Sequence, residues 1–145
     1  MAISTVILDD RLLIEELLAG LDVGGRALYT TIYWYYRACR AAALGGGGHL
    51  SGPFSQLPPR QQELAIASML TLREDIGLPD PRRTVPVMVE VAGRHPRLNL
   101  LNLEAVAAAH ILEAAIWLSP PGAAGVLPNV LDDEGIPWQT IPPPP

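Results

Sequence analysis

The spacing of apolar residues changes character several times along the chain, and each change predicts an element. Thr5 to Leu8 is an unbroken β-branched and apolar run that stops at Asp9-Asp10, the pattern of a buried strand whose carboxyl end carries acids into a loop or cleft. From Arg11 the period becomes helical. Leu13, Leu17 and Leu21 repeat, Ile14 and Leu18 widen the stripe, Glu15 and Glu16 lie in the first turns, and Gly24-Gly25 ends the helix. A second helix is read over Ala27 to Leu44, with Leu28, Ile32, Tyr35, Cys39 and Ala42 along one side and Tyr29, Tyr33, Tyr36 and Arg40 along a neighbouring one. Trp34 points elsewhere. Gly45 to Gly48 lacks the lysine and the preceding strand of a phosphate-cradling loop and reads as a flexible connector.

Past the loop at Ser55 to Pro59, Pro58-Pro59 opens a third helix from Arg60 to about Arg73, and Ile76 to Leu78 suits a short strand. Between Thr84 and Ala92 two patterns compete: Val85, Val87, Val89 and Val91 alternate as in a strand, while Pro81, Pro86 and Gly93 suit a helix with proline near its start. Periodicity alone favours the strand. Leu103 to Leu112 is an Ala-rich helix, Ala115 to Leu118 a buried strand stopped by Pro120-Pro121, Val126 to Leu131 a short helix, and Gly135 to Ile141 an edge strand. Pro142 to Pro145 reads as an extended, disordered tail. Strands alternating with helices imply one α/β/α domain over residues 1–141, its sheet mostly parallel, with any site at the carboxyl ends of the strands. Asp9 belongs there.

Composition narrows the chemistry. The chain has 145 residues, 49% of them hydrophobic, enough for a core without disulfides. Cys39 is alone, so no thiol framework can form. All ten basic residues are Arg, and the net charge of −5 gives no general footprint for nucleic acid. Asp9 and Asp10 come too early for a signal peptide, so a cytoplasmic protein is expected. The apolar stretch Leu98 to Leu118 holds Asn99, Asn102, Glu104, His110 and Glu113, which excludes a membrane span.

Several local clusters are candidates for binding. Arg82-Arg83 and the run Arg94-His95-Pro96-Arg97 could hold phosphates, or be the solvated ends of one element. His110 and Glu113 could touch on a helix but form no recognisable metal motif, and neither they, His49 nor His95 define a catalytic arrangement. The aromatic set Tyr29, Tyr33, Trp34, Tyr35 and Tyr36 is too large for one domain to bury around a single helix. Two or three are expected in the core. The remainder, drawn from Tyr29, Tyr33, Trp34 and Tyr36, predicts an interface for a homodimer or another protein.

The order of motifs carries a family resemblance. Val6-Ile7-Leu8-Asp9 followed by Leu12-Leu13-Ile14, then Leu101-Asn102-Leu103-Glu104-Ala105-Val106-Ala107-Ala108-Ala109, Ile116-Trp117-Leu118-Ser119 and Glu134-Gly135-Ile136-Pro137 resemble the PIN domain family across nearly the whole chain. The resemblance implies a three-layer fold and a helix over residues 84–92. PIN domains of the toxin and RNA-processing type are ribonucleases that gather three or four carboxylates around Mg²⁺ or Mn²⁺, since hard cations take oxygen ligands and activate water. Asp9 matches the first acid, and Glu104 matches the third with Glu in place of Asp. Asp10 is an additional acid, expected to cap the first helix or join the metal. The second acid is replaced within Tyr33-Trp34-Tyr35-Tyr36-Arg37, and the fourth within Ser119-Pro120-Pro121. Arg37 would put a cation where the family has an anion. Unless Glu63, Asp75, Glu90 or Asp132 reaches the cleft, the resemblance implies a degraded nuclease site and a protein- or RNA-contact role. The alternatives are an active ribonuclease completed by displaced acids, and a structural dimerisation domain.

Overall fold

A computed structural model describes residues 4–44 and 50–142. The expected glycine connector, His49 and most of the proline tail lie outside the described residues. The elements run β1 (Thr5–Leu8), α1 (Asp10–Leu18), β2 (Ala27–Thr30), α2 (Ile32–Leu44), α3 (Gly52–Ser55), α4 (Pro59–Leu70) and β3 (Ile76–Gly77). They continue with α5 (Pro81–Arg94), α6 (Leu100–Leu112), β4 (Ala115–Leu118), α7 (Pro120–Ala123), α8 (Leu127–Asp133) and β5 (Trp138–Thr140). All strand pairings are parallel, in the order β3-β2-β1-β4-β5. Helices cover both faces, giving a PIN-like three-layer α/β/α architecture. Parallel strands are sandwiched on both sides, which is why Val6 to Leu8 of β1 and all of β4 are apolar and buried.

Two apolar clusters flank the sheet. One gathers Leu12, Leu13, Ala38, Phe54 and Met69 from α1, α2, α3 and α4, and the other gathers Val91, Val106, Ala109, Leu127 and Leu131 from α5, α6 and α8. The strand order reverses direction at β1, where connections leave toward β2 on one side and arrive at β4 on the other. Ligand clefts of open parallel sheets form outside the carboxyl ends of strands at such a point. Val6, Ile7 and Leu8 sit beside Ala115, Ile116 and Trp117, so Asp9 and Ser119 emerge together there.

One expectation is corrected, and one conflict between patterns is resolved as the family resemblance implied. The helix read from Ala27 begins only at Ile32: Ala27 to Thr30 pairs with β1 as a strand, and Thr31 turns the chain, its hydroxyl accepting from Trp34 N at 3.1 Å. Leu28 and Tyr29 happened to continue the helical stripe, so the short strand was hidden. Residues 84–92 are helix. Asp80 caps it, accepting from Arg82 N at 3.0 Å, Pro81 stands at its first position, and Val87, Met88 and Val91 face the core while Val85 and Val89 face outward. Valines on both faces imitate alternation. The serine after β4 also caps an unexpected short helix, α7. Among the described residues, no helix is long and apolar enough to cross a membrane.

Candidate functional site

Asp9 is the residue that turns β1 into α1. Its backbone is extended, and its Oδ1 accepts from Leu12 N at 2.9 Å, which makes it the N-cap. The cap therefore falls at Asp9, one residue before the expected Asp10. Oδ2 faces across to β4 and accepts from Ser119 N at 2.8 Å and from the Ser119 hydroxyl at 2.7 Å. That hydroxyl in turn accepts from Gly122 N at 3.3 Å. Asp9 is 1% exposed. Burial pushes its carboxyl up to about 6, against the opposing pull of the Leu12 amide and the Ser119 hydroxyl; the neighbouring Asp10 adds to the rise. Gly122 is required by this packing, because a Cβ there would collide with Asp9 Oδ2.

Asp10 opens α1 and points into the cleft. Its Oδ1 accepts from Arg11 N at 2.8 Å, and its Oδ2 lies 2.8 Å from Arg37 Nε. The cleft has a volume of about 180 Å³. Asp9, Asp10, Arg37 and Asn102 supply its polar lining, with Trp34 and Leu127 among its apolar walls. Arg37 reaches it from the first turns of α2, the segment where the family pattern places its second acid.

Glu104 is not among the residues that line this cleft. It is 4% exposed on α6, and its two oxygens accept from Ile32 N at 2.9 Å and Tyr33 N at 2.8 Å. Those amides open α2, so Glu104 serves as a cap delivered from another helix, satisfying donors that a helix start leaves orphaned. Nor do the other acids enlarge the cleft set: Asp75 pairs with Arg73 at 3.0 Å, Asp132 accepts from Trp138 Nε1 at 2.8 Å, and Glu63 and Glu90 are absent from the lining. Among the described residues, no group of three His, Cys, Asp or Glu side chains is placed to hold a metal ion. A hard divalent cation needs carboxylate oxygens free to face it. Two carboxylates, one occupied by three internal donors and the other by a guanidinium, do not fit it.

The remaining candidates divide. Arg82 and Arg83 are exposed at the start of α5 and do not line the cleft. Arg94 is forked onto Glu134, with Nε and Nη2 donating at 2.9 and 2.7 Å. His95 and His110 contact the same carboxylate through Nε2 at 2.9 and 2.8 Å. The Arg94 guanidinium above all, with the hydrogen bonds to His110 and His95, holds the Glu134 carboxyl well below the usual carboxylate range. Glu134 was missed as a hub because its partners lie 24 to 40 residues away in sequence, beyond any periodic signal. Glu113, expected near His110, instead ends α6 in the left-handed conformation. Of the aromatic set, Trp34 is buried at 3% as a wall of the cleft and is not free for the expected interface, Tyr29 is half-buried on β2, and Tyr35 donates its hydroxyl to Met69 O at 3.0 Å. Tyr33 and Tyr36 stay exposed, at 40% and 55%.

No family model matches the sequence, and no curated protein matches it. A solved structure does: VapBC-1 from nontypeable Haemophilus influenzae aligns with 94% of this chain and 97% of that one, at a TM-score of 0.51 and 16% identity. The fold is PIN-like. At that identity the likeness is one of architecture, and the chemistry of this PIN-like domain has to be argued from its own cleft.

Proposed function

We propose that this PIN-like domain acts by contact, as a protein- or RNA-interaction module, and that its cleft has lost metal-dependent cleavage. The observation that carries the reading is the commitment of Asp9: both its oxygens are taken up by Leu12 N, Ser119 N and the Ser119 hydroxyl. Beside it, Asp10 faces Arg37 instead of another acid. The guanidinium supplies fixed positive charge where a cation-binding site needs negative oxygens. Arg37 holds Asp10, Ser119 holds Asp9, and Glu104 holds the start of α2; each acid has a structural task. Tyr33 and Tyr36, exposed on successive turns of α2, are the side chains proposed to meet a second copy or another protein.

An active Mg²⁺- or Mn²⁺-dependent ribonuclease of the toxin kind, with Asp9, Asp10 and Glu104 as ligands, would require Glu104 to release two backbone amides in a buried site. Leaving such donors unpaired costs about 1–3 kcal/mol each. The test is calorimetric titration with MnCl₂ together with cleavage of labelled single-stranded RNA, on the parent and on Asp9→Ala. No saturable heat and equal, background-level cleavage are expected. Manganese binding with cleavage that Asp9→Ala abolishes would overturn the proposal. Arg37→Asp, a change at a half-exposed side chain, should restore measurable manganese binding by adding a third carboxylate. Sedimentation of the parent and Tyr36→Glu then separates a self-associating domain, whose mass falls in the variant, from one that meets other partners.

A further inference from the structure

Away from the acidic cleft, the turn joining α5 to α6 and the start of α8 enclose a second depression of about 350 Å³. One wall is the run Arg94, His95 and Arg97; the other is aliphatic, from Leu98, Val126 and Val130. Val126 is 61% exposed, a large apolar side chain left open at the mouth. Arg94 and His95 are fixed by the Glu134 carboxylate. Arg97 makes no ion pair in the structure among the described residues, and it is exposed. The depression thus joins a rigid basic rim, one uncommitted guanidinium and a greasy floor, on a chain whose net charge is −5.

We infer that this groove docks a peptide segment in which one acidic side chain is flanked by aliphatic ones. The carboxylate pairs with Arg97, and the aliphatic neighbours cover Val126 and the half-buried Leu98. The inference rests on the contact-module reading and names its partner class. Charge complementarity selects the anion. The walls select protein over nucleic acid: they offer no aromatic surface for base stacking, they hold one uncommitted cation, and the chain as a whole repels a polyanion. A rim already immobilised by Glu134 loses little freedom on binding.

Titration of ¹⁵N-labelled protein followed by NMR tests this with three probes: a blocked peptide with one glutamate between two leucines, its glutamine counterpart, and a short oligouridylate. The glutamate peptide should give saturable shifts confined to residues 94–98 and 126–130. Both the glutamine peptide and Arg97→Gln should weaken binding about tenfold, as loss of one charge-assisted contact does. Val126→Asp should abolish saturation. Both positions are exposed, so the variants remain folded, as their unchanged spectra elsewhere would verify. No saturation with the glutamate peptide, equal binding of the glutamine peptide, or a preference for the oligouridylate would overturn the inference. None of these readouts involves metal or cleavage, so failure here is distinguishable from failure of the contact-module reading.

Discussion

Asp9 and Glu134 are both carboxylates withdrawn from solvent, each receiving at least three donors, yet they are driven in opposite directions. Asp9 is served by neutral dipoles, two backbone amides and a hydroxyl, with the acid Asp10 beside it, and its carboxyl is pushed up to about 6. Glu134 is served by a guanidinium and two imidazoles and is held well below its ordinary range. Counting hydrogen bonds does not tell these sites apart. Neutral donors offset only part of the desolvation of a buried charge, whereas cationic ones reverse its effect. One carboxylate is a strained tenant of the sheet end, the other a clamp between α5, α6 and the segment after α8.

The comparison is sharpest in its pH dependence. A native-state carboxyl raised from 3.8 to about 6 binds its proton more tightly when folded, so its contribution to stability falls as pH rises from about 4 to about 6 and is constant above; the loss is about 3 kcal/mol. Urea denaturation of the parent and Asp9→Asn across that range should show the variant lacking the decline. Glu134 works with the opposite sign, its stabilisation being present above its ordinary 4.5 and lost as pH falls below it. Glu134→Gln should cost about 2 kcal/mol at neutral pH, discounted for the half-exposed Arg94, measured as a shift in urea midpoint. Gly122→Ala drives a methyl group into the Asp9 carboxylate and should cost about 1–2 kcal/mol, with a changed Asp9 titration by carbon NMR. Smallest is Arg37→Gln. Its side chain is 48% exposed, so breaking the ion pair with Asp10 should move the midpoint by less than about 1 kcal/mol.

What the sequence disclosed follows the same division between local and distant causes. β1 and β4 were legible because burial on both faces writes an apolar run, α6 because its alanines favour helix, and Asp9 as the acid that ends such a run. β2 was not, since its four residues prolonged the stripe of α2; nor was α5, whose outward Val85 and Val89 imitated a strand. The division of labour between Asp9 and Asp10 turned on a single residue of helix start. Glu104 could be found as an acid of interest, but its actual partners, Ile32 N and Tyr33 N, lie 72 and 71 residues away. Glu134 drew attention only through the Gly-Ile-Pro that follows it. Contacts of that span leave no periodic trace in a single sequence.

The Asp9–Ser119 contact spans 110 residues and joins the opening strand to one of the last. On the ribosome, β1, α1, β2, α2 and α4 are synthesised well before β4, so the first apolar cluster can condense while one side of the central strand is still bare. The cleft is therefore a late product of biosynthesis. Any nascent chain halted before β4 would present β1 with an open edge and Asp9 without its serine, an end of the sheet exposed to strand addition.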